Sequence, residues 1–366
     1  TCDLNAGRVL AIFGACQIFA GFAYRLPVPV QPLKAMAAIV IADKLSGAPK
    51  LTGGDLVGGG LAIGVIMLVL SLSGGLHLVE RLIPKRVVRG LQFGLGIKLA
   101  LLGLKPYWPE GGAPVGMEVY VLGGVAFLIA VLLRNNRVFP AAPLLLALGL
   151  VYALAFAGGW TSIEPRLDLS LPKLQAPSLE NIVTGLVVLA IPQLPLSLGN
   201  AVLATKQTVR DLFPGRDVSV RKLGLTYSIC NLAAPLLGGI PVCHGSGGVA
   251  GHHAFGARTG GSAIIYGSVF LLLGLFFGTS SFTLMSVFPM AVLGVLLLFE
   301  AIVLMQLSRD MAANTEDFSV VLVVALVAAG VPYGFCIAMV VGTLLHAWLR
   351  WGRTGDQPAA PALEQP

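Results

Sequence analysis

Leu26-Pro27-Val28-Pro29-Val30-Gln31-Pro32-Leu33-Lys34-Ala35-Met36-Ala37-Ala38 opens the short apolar segment 35–46. Prolines at 27, 29 and 32 forbid a helix, so 27–32 must run extended. Pro32 suits the first turn of a helix starting there. A second stretch reads alike: Gly238-Gly239-Ile240-Pro241-Val242-Cys243-His244-Gly245-Ser246-Gly247-Gly248-Val249-Ala250-Gly251 leads into the short segment 248–257. A helix that starts inside an apolar layer leaves its first N–H groups without partners, and this is costly unless a ligand or side chain meets them.

The layer itself follows from composition. Of 366 residues, 56% are hydrophobic and 11% charged, with mean hydropathy +0.86. A soluble domain carries about 25% charged residues. A soluble enzyme, a disordered chain and a disulfide scaffold are excluded, which leaves a polytopic all-α membrane protein. Apolar segments lie at 6–24, 35–46, 56–79, 87–104, 117–133, 138–157, 181–204, 223–239, 248–257, 261–279, 283–307, 318–332 and 334–349, thirteen in all. The longest loop is expected from Gly158 to Ser178.

The net charge of +7 comes from loop arginines and lysines on alternate sides. Fifteen fall on one side (Arg81, Lys85, Arg86, Arg89, Arg134, Arg137, Lys206, Arg210, Arg216, Arg221, Lys222, Arg258, Arg309, Arg350, Arg353) and six on the other. The positive-inside rule makes the first side cytoplasmic, together with the C-terminus. Nucleic acid is not expected as a partner, and the scattered Cys2, Cys16, Cys230, Cys243 and Cys336 suggest buried thiols without a disulfide framework.

An internal repeat appears at an offset of 214 residues. Cys16 falls on Cys230, Gln17 on Asn231, and Pro27-Val28 on Pro241-Val242. Both copies sit just before a broken segment, the position expected in an inverted-repeat transporter. On this offset 181–204 has no partner, so a seven-plus-seven architecture is expected, with about thirteen spans present and a first helix preceding Thr1. The expected divisions are a core domain (1–82 and 179–280), a gate domain (83–178 and 281–352) and a disordered cytoplasmic tail (353–366).

The candidate site follows. Lys34 lies in the first turn of its half-helix, where a cation opposes the helix dipole unless an anion lies between them. The alternatives are snorkelling or pairing with Asp43. Gly245, Gly247 and Gly248 permit close backbone approach, Ser246 adds a hydroxyl and His244 stands at the mouth, which together suggest an anion cradle. Gln193, Ser197 and Asn200 share one face of the Pro192/Pro195 span and serve either the site or interhelical hydrogen bonding. His244, Glu300 and Asp43 are the candidate proton carriers. No cofactor and no metal is expected.

These blocks, with Ile191-Pro192-Gln193-Leu194-Pro195-Leu196 and Phe255-Gly256-Ala257-Arg258-Thr259-Gly260, resemble the molybdate transporter family of the sulfate permease superfamily. The resemblance implies two inverted repeats of seven spans and a substrate held between two half-helices. Gln31, as a hydrogen bonder, and Pro32 complete the expected substrate-binding residues. Family members usually begin with an acidic, glycine-rich helix, which is expected to precede Thr1. Sulfate permeases carry a cytoplasmic domain after the last span; none is expected here, as in the molybdate branch. The expected function is secondary active import of a tetrahedral oxyanion, molybdate first, by alternating access with proton coupling across a bacterial-type inner membrane. The alternatives are a sulfate transporter with the same site, an intramembrane metalloenzyme using Cys243, His244, His252 and Asp43, and a non-transporting sensor. The sequence is silent on oligomeric state, a homodimer being one option.

Overall fold

The computed structural model describes residues 4–45, 50–107, 115–133, 141–156, 170–286, 288–331 and 333–355. The positions expected to form the tail from 356 onward, most of the long loop (157–169), Arg134, Arg137 and Cys2 lie outside the described residues.

The first half begins with α1 (Ala6–Tyr24), strand β1 (Val30–Pro32) and the half-helix α2 (Lys34–Leu45), followed by α3 (Gly53–Leu72) and a short amphipathic α4 (Gly75–Leu82). Then come α5 (Lys85–Leu104), α6 (Met117–Leu132) and α7 (Ala141–Ala155). The second half begins with α8, a continuous helix over Leu179–Leu212, then α9 (Val220–Ala233), strand β2 (Val242–His244) and the half-helix α10 (Ser246–Ala254). It ends with α11 (Gly261–Ser286), α12 (Met290–Gln306), α13 (Thr315–Gly330) and α14 (Gly334–Gly355). Six of these helices are long and apolar enough to cross a membrane. Many of their large apolar side chains face outward, such as Ile265 at 69% exposed, as a lipid-facing surface requires.

Several expected boundaries are corrected. The run 56–79 is two helices, because Gly74 takes φ +80° and ends the first. The span expected at 181–204 extends to Leu212. It carries two π-helical stretches, Gly185–Ala190 and Ser197–Ala204, flanking the turn that holds Pro192 and Pro195. Those prolines lack N–H groups, so the regular ladder cannot run through them. The helix expected to begin at Pro32 begins at Lys34. Pro32 ends β1 opposite Val242, and Leu33 still donates to the Pro241 carbonyl at 3.2 Å, which holds the backbone extended for one more residue. At the chain end, residues 353–355 continue α14 rather than starting the tail.

The two broken segments meet. β1 and β2 pair antiparallel, Val30 opposite His244 and Gln31 opposite Cys243, so α2 and α10 leave from opposite ends of one short ladder. The main apolar cluster gathers residues of α1, α2, α3, α8 and α9 with both strands. Separate clusters join α6, α7 and α12, and α5, α13 and α14. Ala250 of α10 packs with Leu95 and Leu99 of α5 and Ala301 and Leu304 of α12 in a further cluster.

Candidate functional site

The strands are held by side chains from their own repeat. Gln17 Nε2 donates to the Val30 carbonyl at 2.7 Å, and the Val30 amide donates back to Gln17 Oε1 at 2.9 Å. Asn231 repeats this on β2: its Nδ2 donates to the Val242 carbonyl at 2.6 Å, and its Oδ1 accepts from the Val242 amide at 2.9 Å. Extended backbone in an apolar layer has no water to bond, so a buried side-chain amide satisfies it. Cys16 and Cys230, one residue earlier in each copy, are both buried free thiols.

The two half-helix starts differ. At α2, the amides of Ala35 and Met36 donate to Gln193 Oε1 at 2.9 and 3.3 Å. Gln193 Nε2 then donates to Ser197 Oγ, which bonds the Tyr227 hydroxyl at 2.8 Å. The α2 start is therefore capped from within by α8. At α10 the N-cap is Gly245, and no side chain caps the helix. Ser246 Oγ instead donates to Asn200 Oδ1 at 2.7 Å. The polar face of α8 thus reaches both half-helices, Gln193 at one and Asn200 at the other.

Gly245 is extended (φ −150°, ψ 137°), while Gly247 and Gly248 lie in the first helical turn, so the expected glycine loop is a helix start. What these glycines permit is contact. A Cβ on Gly245 would come 2.7 Å from Gln31 Oε1, and one on Gly248 2.7 Å from Gln31 Nε2. Gln31 therefore lies across the start of α10. Its Oε1 is buried and has no hydrogen-bond partner among the described residues. From the other side, a Cβ on Gly247 would clash with Glu300 Oε1 of α12. Lys34, partly buried, acts electrostatically on Glu300. The structure thus gathers Gln31, Asn200, Ser246 and Glu300 around one uncapped helix start, with Lys34 at the start of α2.

The remaining candidates lie elsewhere. His244 Nε2 bonds Thr226 Oγ1 at 2.9 Å, and its ring stands edge-on to Tyr24, whose hydroxyl also bonds Thr226. Asp43 accepts from the amides of Lys50 and Leu51, 3.0–3.2 Å away. His252 bonds Ser262. Cys243, His244, His252 and Asp43 are thus engaged separately, and no three His, Cys, Asp or Glu side chains converge among the described residues.

Arg89, counted in the sequence only as a loop charge, is the centre of a buried ionic cluster. Arg89, 2% exposed, bonds both carboxylate oxygens of Asp310 (2.6–3.2 Å) and of Asp211, and its Nη1 reaches Gln92. This ties α5 to α8 and to the 3-10 turn after α12. A lone arginine after a basic loop reads as an orientation signal, and nothing local names carboxylates 122 and 221 residues away.

A family profile described as "Molybdate transporter of MFS superfamily" matches residues 1–99 and 185–304. "Molybdate transporter 1" of Arabidopsis thaliana is 32% identical over 98% of this chain and 86% of its own length. "Molybdate transporter 2" of the same organism is 30% identical over 94% of this chain and 82% of its own. Among solved structures, the transmembrane domain of the cyanobacterial bicarbonate transporter BicA superposes with TM-score 0.60 at 18% identity, covering 93% of this chain and 91% of that one. Murine solute carrier 26 family member A9, an anion transporter in the inward-facing state, gives 0.60 at 14%, covering 95% and 67%. These neighbours carry the inverted-repeat fold of the sulfate permease superfamily. A helical membrane chain with two paired broken helices, matching this family along nearly its whole length, belongs to the molybdate transporter family.

Proposed function

We propose that this chain imports a tetrahedral oxyanion, molybdate, by alternating access, with the start of α10 as its binding point. The observation that carries the reading is the uncapped α10 start, ringed by Gln31, Asn200 and Ser246. A helix N-terminus offers aligned N–H groups and partial positive charge, and a dianion satisfies both. Half a turn of the Gln31 terminal amide brings its NH₂ to the position of its unpartnered oxygen, supplying donors without displacing a neighbour. The α2 start contributes Lys34 and its dipole, while its amides stay with Gln193. His244, Pro32 and Ser197 support the backbone and the cap behind this point.

In this reading α1–α4 and α8–α11 move as a core against a gate of α5–α7 and α12–α14, in a bacterial-type inner membrane with a cytoplasmic C-terminus. Driving a dianion into a negative-inside cell costs about 2.3 kcal/mol per charge per 100 mV, so a coupling ion is required, and protons fill that role. The chain belongs to a family of transporters rather than enzymes.

Competitive uptake of molybdate, tungstate and sulfate into proteoliposomes tests the reading. Molybdate uptake is expected to fall at least about tenfold in Lys34→Ala and in Ser246→Ala, as loss of a charge-assisted contact requires. Sulfate outcompeting molybdate would reassign the substrate. Normal uptake by both variants would move the site.

A further inference from the structure

Glu300 is the sole charged residue in α12, Met290–Gln306. A carboxylate on an apolar membrane helix is costly and marks a function unless it is paired. Glu300 is partly buried at the point where α12 packs on α10. A Cβ on Gly247 would collide with its Oε1, and one on Gly251 would come 3.1 Å from its Oε2. Gly247 is the second residue of α10, within the turn whose amides have no intrahelical partner.

The other titratable groups on the elements packed against α12 are engaged elsewhere or lie toward its ends. On α10, His252 bonds Ser262 and His253 stands edge-on to Phe213. On α5, Lys98 lies over the Phe335 ring, Arg89 holds Asp211 and Asp310, and Lys85 reaches Asp310. Lys105 and Tyr107 follow α5, and Tyr107 donates to the Ala291 carbonyl. Glu118 and Tyr120 sit in the first turn of α6 and Tyr152 on α7, while Arg309 and Asp310 follow α12. The group that acts on Glu300 electrostatically is Lys34, across the gap. Of the other two carboxylate and imidazole candidates, Asp43 accepts backbone amides near the far end of α2, and His244 bonds Thr226.

We propose that Glu300 is the proton carrier: the oxyanion occupies the start of α10 when Glu300 is protonated, so one proton and one anion load together. The proposal rests on the α10 start being the anion site. An ionised Glu300 and a dianion contend for the same amides and the same lysine, and like charges at that separation repel. The protonated acid donates a hydrogen bond to the anion instead. The O–H bond formed on loading breaks on release, when the carboxylate returns to Lys34 and α10. Because Glu300 belongs to α12 and its contacts to α10, the proton sits where the two bodies of helices meet.

Molybdate binding to the purified full chain, measured by calorimetry between about pH 6 and about pH 8, tests this. One linked proton predicts that wild-type Kd rises about tenfold per pH unit above the carboxyl's own pKa, with about one proton taken up per anion bound. Glu300→Gln should bind with a pH dependence flat within about twofold and no proton uptake, while Glu300→Asp retains both signatures. Wild-type slope and proton uptake in Glu300→Gln would overturn the proposal. So would wild-type binding with no proton taken up, a result that does not depend on any variant folding. The two readings fail separately: normal affinity in Lys34→Ala and Ser246→Ala removes the anion site, whereas proton uptake surviving in Glu300→Gln removes Glu300 and leaves the site.

Discussion

Gln17 and Asn231 show how much one side chain can decide in a bilayer. Each makes two hydrogen bonds to one strand residue, Val30 or Val242, and each sits one helix before the break it serves. Replacing Gln17 with Leu leaves a buried N–H and C=O unmet, at about 1–3 kcal/mol per group. A lower unfolding midpoint in detergent is the expected result, and Gln17→Asn, one methylene short, should recover little of it. Gln193→Leu should act locally. It releases the amides of Ala35 and Met36, so hydrogen exchange there speeds up by about tenfold, the equivalent of one net hydrogen bond. Amides at the start of α10 should be unaffected, because Gln193 does not touch them. The sequence marked these amides through the 214-residue offset and the spacing of 193, 197 and 200. It could not say that Gln193 faces backbone rather than ligand, since its partners lie 157 and 158 residues away.

Among the elements, α1 and α11 pack closest. Gly7, Gly14 and Gly21 recur every seven residues and face Gly274, Gly267 and Gly260 in antiparallel order. A Cβ on Gly267 would come 2.6 Å from the Gly14 carbonyl. Small residues let membrane helices approach backbone to backbone, where dispersion replaces the hydrophobic drive that lipid removes. Gly267→Val should destabilise the solubilised protein by about 1–3 kcal/mol. Gly124→Ala on α6, where a Cβ meets open space, should shift the midpoint little. The Arg89 cluster is the polar counterpart. Arg89→Met removes the cation from Asp211 and leaves Asp310 with Lys85 alone, and should cost about 3–5 kcal/mol, with part recovered by adding Asp211→Asn in a double-mutant cycle. The glycine pairing is a product of packing, and so are the arginine's partners, because contacts across distant helices leave no local pattern.

At the scale of the whole molecule, the proposed motion requires the core to slide on the gate. Gly199 of α8 and Met339 of α14 meet across that boundary, where a Cβ on Gly199 would come 3.6 Å from the Met339 sulfur. Cysteines at both positions, joined by a short cleavable bifunctional reagent, should lower molybdate uptake by at least about tenfold and restore it on cleavage. Binding to the solubilised protein should persist, since neither position touches the α10 start. Uptake unaffected by the crosslink would show that the two bodies do not move against each other along this seam.

The amino-acid sequence alone determined the solvent, the helical class, the place of most helices in the chain, the two broken segments and their relation by repeat. Each of these follows from local rules: charges too few for water, prolines that forbid helices, apolar runs matched to a bilayer, a motif copied at a constant offset. Tertiary structure decided what those segments present. It capped α2 with Gln193 and left α10 uncapped, laid Gln31 along Gly245 and Gly248, set Glu300 against Gly247, and withdrew His244 to Thr226. The physical reason is range. A backbone break is written in neighbouring residues, whereas the partner that meets or spares its free amides arrives from a helix more than a hundred residues away, and only packing brings the two together.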